Sequence, residues 1–200
     1  MTSQECLDLL RGVKDVAFAT VDEQGRPQNR IVDVMIAEEG SIYFCTARGK
    51  DFYHQLLATG RAAVTGMDAA YRMVRLDGRV TRLGEQRAWI DRIFAENPPM
   101  ETTYPGESRY ILEPFRLEPD RIEFFDIGGE HPLREVVLDR DRETSLFVIG
   151  DGCIGCGTCA AACPHGCIAE GTPFAIDQSL CLRCGLCSES CPVQAIGRRR

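Results

Sequence analysis

The residues best suited to chemistry in this 200-residue chain are eight cysteines in its last quarter. They fall into two copies of one pattern. CIGCGTCAAACP places Cys153, Cys156, Cys159 and Cys163 at spacings of two, two and three, with Pro164 after them. CLRCGLCSESCP repeats those spacings with Cys181, Cys184, Cys187, Cys191 and Pro192. In such a run three thiolates can wrap one iron-sulfur cube, while the fourth, carried away by the proline turn, reaches a second cube. The repeat therefore predicts two 4Fe-4S clusters. Structural zinc needs four ligands and leaves the regular triplets unexplained. A disulfide framework belongs to secreted miniproteins, and nothing in this sequence has that character.

This stretch closely resembles two-cluster bacterial-type ferredoxins. The resemblance implies crossed ligand sets, with Cys153, Cys156, Cys159 and Cys191 on one cluster and Cys181, Cys184, Cys187 and Cys163 on the other. The flanking residues repeat as well: LFVIGDGC is echoed by PFAIDQSLC, and ACPHGCI by SCPVQAI. Each half reads as a short strand, a cysteine loop and a short helix, the halves pairing about a pseudo-two-fold axis. Cys167 falls where the second half has Ala195, and is read as a small buried residue beside a cluster, with an extra ligand as the alternative. Cys6 is read as core.

A cluster module of about fifty residues is too small to be stable without its inorganic cores, so it must be joined to something larger. The chain has eleven cysteines and no basic start followed by an apolar stretch. No signal peptide or membrane span is expected, and the compartment should be a reducing cytoplasm, that of an anaerobic microorganism. A net charge of -7 and a pI near 5.1 argue against a nucleic-acid partner. Arg198, Arg199 and Arg200 read as a solvated tail.

The elements that must carry this module come first in the chain. Thr2 to Glu5 forms a capping box for a short helix bearing Cys6, Leu7 and Leu10, ended by Gly12. VAFAT (16–20) reads as a strand, DEQG (22–25) as its turn, and Arg30 to Ile36 as the returning strand. SIYFCT (41–46) is a further strand, and Asp51 can cap a helix with Phe52, Leu56 and Leu57. Strands follow at 61–66 and from Tyr71 to Leu83, where Val74, Leu76 and Val80 share a face. EQRAWIDRIFAEN reads as a helix with Trp89, Ile90, Ile93 and Phe94 as its apolar stripe. ILEPFRLEP and RIEFFD read as two closing strands turning at Pro119 and Asp120. Many short antiparallel strands with few helices predict a closed or split barrel, a mainly β (α+β) fold, followed by the ferredoxin-like module. The expected domains are 1–127, a linker over 128–145, and 146–200.

In the order of its motifs, RIV (30–32), YFCTARGK (43–50), RAAVTG, MVRLDGRVTRL and FRLEPDRIEFF, the first part resembles the pyridoxamine 5'-phosphate oxidase-like FMN-binding split barrel. That resemblance implies a homodimer with FMN in a groove between subunits. It places Arg30 on phosphate or ring, Ile31 and Val32 at the flavin edge through their backbone, Cys45 and Thr46 at the end of the next strand, and Lys50 on phosphate. The residues fit such roles in their own right: Arg30 can fork onto phosphate, Lys50 is a point charge beside a helix start, and Thr46, with the amides around Gly49, supplies hydrogen bonds. Arg48 joins this basic group. Where the family often has a glutamine facing the flavin, this chain has Met73, with Arg72 as a substitute donor.

The arginine-rich, tryptophan-containing end by which the true oxidase holds its substrate is absent, so pyridoxamine phosphate is not the expected substrate. His54, His131 and His165 lack partner spacing and are read as structural. No Gly-rich dinucleotide fingerprint occurs. FMN exchanges electrons singly or in pairs, whereas a cluster carries one. The expected function is an iron-sulfur flavoprotein oxidoreductase fed by ferredoxin or another low-potential redox protein, acting on an unspecified small molecule or protein. No side chain stands out as its acid, though Tyr71, Arg72 and Tyr104 are candidates. The alternatives are a non-catalytic electron carrier or redox sensor, and a barrel holding haem or deazaflavin.

Overall fold

The computed structural model describes residues 1–129, 132–140 and 146–199. The chain forms two compact units, Met1–Phe124 with Val136–Arg140, and Phe125–Glu135 with Asp141–Arg200. Helix α1 (Ser3–Val13) starts with the expected reciprocal cap: Glu5 N donates to Thr2 Oγ1 at 3.2 Å and Thr2 N to Glu5 Oε2 at 2.7 Å. It does not stop at Gly12 but runs to Lys14, whose φ of 68° closes the last turn with Lys14 N donating to Leu10 O at 2.9 Å. A lone glycine costs a helix only about 1 kcal/mol. Burial of Cys6, Leu7 and Leu10 outweighs it.

Strands β1 (Asp15–Val21) and β2 (Pro27–Asp33) form an antiparallel hairpin in register from Asp15 opposite Asp33 to Val21 opposite Pro27. The returning strand thus ends three residues earlier than expected, and β3 (Ile36–Glu38) is separate. The cause is that Val34, Met35 and Ile36 are all buried, which strict alternation forbids on a half-buried strand. The chain kinks there, with Val34 N donating to Lys14 O and Met35 N to Tyr43 O, each at 2.9 Å.

The unit continues with β4 (Ser41–Ala47), α2 (Asp51–Thr59), β5 (Arg61–Met67), β6 (Arg72–Arg82), α3 (Gln86–Glu96), α4 (Met100–Thr103), a 3-10 turn at Gly106–Ile111, β7 (Leu112–Asp126) and β8 (Leu133–Asp139). Lys50, rather than Asp51, is the N-cap of α2, and no side chain caps it. The sheet runs β2-β1-β5-β6-β7-β4-β3 with β8 on β7, a curled antiparallel half-barrel of the expected fold class.

Two expectations are corrected here. Pro119 and Asp120 make no turn: β7 is one strand of fifteen residues that passes straight through them. Asp120 is buried and accepts from Arg61 at 2.8 Å, with Arg79 at 3.6 Å, so ion pairing holds it in the sheet. Gly78 permits this close passage, because a Cβ there would collide with the Glu118 carbonyl. Residues 133–139, expected as linker, form β8 on β7, and the β-branched Val136 and Val137 suit a strand there.

The barrel core centres on Phe18, Phe44 and Phe115, with Phe44 stacked on Phe115 at 5.6 Å and tilted against Phe18 at 4.8 Å. Each such burial stabilises the fold by about 1.5–3 kcal/mol. A second cluster docks α3 through Ile90, Ile93 and Phe94 against Met35, Tyr43 and Leu112. Trp89 is only half-buried, stacked on Tyr43 at 5.1 Å. Buried Asn97 ties the end of α3 to the kink after β2, donating to Met35 O at 3.1 Å and accepting from Arg11 at 2.8 Å.

The second unit contains β9 (Leu146–Ile149), α5 (Thr158–Ala162), β10 (Ile168–Ala169), β11 (Ala175–Ile176), α6 (Leu186–Glu189) and β12 (Ile196–Arg199). Strand β9 pairs with β12 and β10 with β11, both antiparallel, which is the pairing that two related halves produce. Matching glycines, Gly157 at φ 73° and Gly185 at φ 89°, start the two short helices. Arg198 is not in a free tail: it lies in β12 opposite Phe147. Arg200 and His131 lie outside the described residues. Among the described residues no helix is long and apolar enough to cross a membrane.

Candidate functional site

A cavity of about 510 Å³ opens in the first unit against β2, the end of β4 and the start of α2. Six of the eight residues expected to hold a cofactor line it: Arg30, Ile31, Val32, Cys45, Thr46 and Lys50. Arg48 and Arg72 do not. Arg48 Nη1 pairs with Glu113 at 2.9 Å, and Arg72 with Asp68 at 2.7 Å in the β5–β6 turn. Met73 lies opposite Met67 in that hairpin and does not line the cavity either.

Arg30 sits in the middle of β2, not at its end. Its Nη1 donates to Thr20 Oγ1 at 2.6 Å and its Nη2 to Gln55 Oε1 at 2.8 Å. Thr20 Oγ1 in turn donates to Gln55 Oε1 at 2.6 Å, and the guanidinium lies 4.6 Å from the centre of the Phe52 ring. All of these partners are neutral. Among the described residues neither Arg30 nor Lys50 has a carboxylate within ion-pair distance, although Asp33 and Asp51 line the same cavity. Burial lowers the Arg30 pKa, but a guanidinium stays protonated in proteins. Each charge-assisted hydrogen bond to an anion here is worth about 1.5–3 kcal/mol.

Two other lining residues differ in character. Burial, and then the charge of Asp33, push the Cys45 thiol up to about 12. It is a neutral apolar surface there and no nucleophile. Asp33 also lines the cavity, and its carboxyl is raised by burial and by the hydrogen bond and charge of Asp15 across the hairpin, against the pull of Lys14.

Sequence reasoning missed Gln28, Asp33, Phe52 and Gln55 on this cavity, and the contributions of Met100 and Leu112 from later in the chain. Helical spacing was a usable signal for two of them, since Phe52 and Gln55 lie one turn apart on α2. Tyr104 does line the cavity, whereas Tyr71 is exposed in the β5–β6 turn.

In the second unit the cysteines ring two further cavities. Cys153, Cys156, Cys159 and Cys191 line one; Cys163, Cys181, Cys184 and Cys187, with Cys167 and His165, line the other. The fourth cysteine of each run therefore sits with the triplet of the other run. Among the described residues no three His, Cys, Asp or Glu side chains converge as single-ion ligands would. Backbone N–H groups already point at sulfur, Ala195 N to Cys191 Sγ at 3.3 Å and Arg183 N to Cys181 Sγ at 3.4 Å. Hydrogen bonds from Thr158 lower the Cys156 pKa. Cys167 is buried with its Sγ 3.4 Å from that of Cys163.

Residues 2–111, more than half of the chain, match the family model described as pyridoxamine 5'-phosphate oxidase. Residues 147–169 and 174–197 each match a 4Fe-4S binding domain. Among curated proteins, a pyridoxine/pyridoxamine 5'-phosphate oxidase of Burkholderia mallei is 33% identical over 110 residues, 49% of this chain and 49% of that protein. The chain thus spans about half the length of the curated relatives it matches. Among solved structures, a protein of Clostridium acetobutylicum related to general stress protein 26 superposes with a TM-score of 0.55 at 14% identity, over 68% of this chain and 94% of the other. A NimC/NimA family protein of the same organism gives a TM-score of 0.54 at 18% identity, over 67% and 90%. These two likenesses establish the barrel fold. The chain belongs to the pyridoxamine 5'-phosphate oxidase family and carries, after that family's domain, two 4Fe-4S binding motifs.

Proposed function

We propose that this protein is an iron-sulfur flavoprotein oxidoreductase, with FMN in the barrel cavity and a 4Fe-4S cluster in each cysteine cavity. The observation that carries this reading is one chain presenting two cations without ion-pair partners on a ligand-sized cavity and two rings of four thiols. A cavity of about 510 Å³ falls within the usual range for small-molecule sites. In this reading Arg30 and Lys50 hold the phosphate, Thr46 adds a hydrogen bond, and the backbone of Ile31 and Val32 borders the ring. Thr20 and Gln55 fix the Arg30 fork, so its position does not depend on the ligand. When bound, the flavin supplies one- and two-electron transfer and the clusters supply one-electron transfer.

Residues 1–127 and 146–200 are taken as the two functional domains. The barrel is proposed to act as a homodimer. Strand β2 is a sheet edge, and Ile31 on it is 65% exposed, a combination that soluble proteins normally cover. Arg48 and Arg72, ion-paired within this chain, are assigned to the cofactor groove only as it is completed by a second subunit. The substrate is taken to be something other than pyridoxamine phosphate, the site to be cytoplasmic in an anaerobic microorganism, and the electron source a low-potential protein such as ferredoxin.

Anaerobically purified protein tests the cofactor assignment by its visible spectrum after cluster removal. Flavin bands are expected; a haem Soret band, or no chromophore, contradicts it. A second reading, a non-catalytic carrier or redox sensor, draws on Ile154, Leu186 and Val193, apolar residues exposed beside the cysteine cavities, where a redox partner could dock. It gains if photoreduced protein is reoxidised by other redox proteins but by no small-molecule acceptor.

A further inference from the structure

The cavity lining holds a group that the cofactor assignment leaves unused. Asp33, the last residue of β2, lines the cavity, and its strand partner directly opposite is Asp15, the first residue of β1. Two carboxylates facing each other across a hairpin repel, and sequence gives no compensating arrangement for them within the strands. The fold nevertheless forces them together. Lys14, held at φ 68° between α1 and β1, accepts a backbone hydrogen bond from Val34 at 2.9 Å and so locks the two strand ends side by side. The same residue places its Nζ 3.6 Å from Asp33 Oδ2. One ammonium thus stands against two carboxylates.

We propose that Asp33 and Asp15 share one proton and that Asp33 presents it to the cavity as the acid-base group of whatever is bound there. Two carboxyls on directly paired residues do not ionise independently, and one of them keeps its proton beyond the usual range. The raised Asp33 pKa, caused first by burial and then by Asp15, agrees with that arrangement. The other charged or titratable groups around it are few. Lys14 favours its ionised form, and Cys45, on β4, is a neutral thiol. Arg30, Lys50, Asp51 and Tyr104 line the same cavity.

In the proton step the Asp33 O–H bond breaks as the hydrogen bonds to a basic atom of the bound molecule, and Asp33 is left as a carboxylate. No other electrons move. Asp15, which is exposed, recovers a proton from a buffer acid or hydronium ion, returning the pair to one shared proton. The ligand class this serves is a molecule whose reduced form is the stronger base. That last point rests on the flavin reading, but the shared proton does not.

The experiment therefore has two arms. In flavin-free full-length protein, carbon-13 labelling of aspartate follows each carboxyl by NMR. Asp33 is expected to titrate above the ordinary aspartate range in the wild type, and Asp15→Asn is expected to lower its midpoint. An ordinary midpoint for Asp33, or one that Asp15→Asn leaves unchanged, overturns the shared proton. In FMN-loaded protein whose flavin is reduced by dithionite and followed by stopped flow, Asp33→Asn is expected to slow flavin reduction about 100-fold at low pH and flatten its pH profile, within the usual contribution of a positioned acid. Asp15→Asn is expected to shift the profile without abolishing it. An unchanged profile in Asp33→Asn overturns the acid role. Failure to load FMN contradicts the flavin reading, while the titration in the first arm still decides whether the proton is shared.

Discussion

The two units of this molecule are built on opposite plans. In the barrel unit the candidate site is assembled from residues far apart in sequence, Arg30, Thr46, Gln55 and Leu112 among them, and a separate core of Phe18, Phe44 and Phe115 holds them in place. In the cysteine unit site and core are the same residues: Cys159, Cys167, Cys181 and Cys187 are buried together with Ile149, Ile168, Phe174 and Ile196. Damage to the site should therefore be local in the first unit and structural in the second. A binding site on a self-sufficient fold can lose its ligand and survive, whereas a small fold that recruits its ligand as core cannot.

The largest effect should come from breaking the cysteine unit. Cys156→Ala removes one of four thiols from the first ring. It is expected to cost the protein about half of its iron and to make the C-terminal unit susceptible to limited proteolysis, while flavin content stays near that of the wild type. Equal loss of both cofactors in the same preparation would show that the two units do not fold separately.

Phe44→Ala attacks the barrel core instead. Loss of a fully buried phenylalanine costs about 3–5 kcal/mol. Denaturant unfolding of the barrel should move by that amount with iron content preserved, and a shift under 1 kcal/mol, about the cost of a surface change, would contradict the assigned core.

Arg30→Ala should do less to the fold and more to the ligand. FMN affinity is expected to weaken by about 1.5–3 kcal/mol, roughly 10- to 100-fold, with iron untouched. Unaltered affinity by fluorescence titration would remove the cavity assignment. Gln55→Leu should reproduce part of that loss, because it frees the fork that Gln55 Oε1 anchors at 2.8 Å.

The smallest effect concerns Asp33. A carboxyl whose folded pKa is raised binds its proton more tightly in the folded chain, so its contribution to stability falls as pH rises past the carboxylate range. Asp33→Asn should thus stabilise the barrel by about 0.2–1 kcal/mol at neutral pH and by less near pH 4. Thermal melts at the two pH values give the answer, and a loss of stability that is greater at neutral pH would contradict the sign.

The same contrast explains what could be read before the fold was known. The cysteine runs specify their chemistry within twelve residues each, so spacing pointed to two clusters, while the crossed sets that line the two cavities came from the resemblance to two-cluster ferredoxins. The capping box of Thr2 and Glu5 and the apolar faces of β6 and α3 were also legible, because each is a local pattern. Pro119 and Asp120 misled, since a turn dipeptide was overridden by the ion pairs of Asp120 with Arg61 and Arg79 and by the space Gly78 leaves. Residues 133–139 looked like linker because their pairing partner, β7, is itself of unexpected length. Gln55, Asp33 and Thr20 were invisible for another reason. Their importance lies in a contact between strands and helix that no spacing rule encodes.

The central claim is that one chain holds both kinds of redox centre, and the most direct measurement is a reductive titration of anaerobically purified protein in which iron, labile sulfide and flavin are counted in the same sample. The account predicts about eight iron, eight sulfide and one FMN per chain, and uptake of about four electrons, one for each cluster and two for the flavin. Protein that is colourless, or that takes up no electrons once adventitious iron is removed, would contradict it.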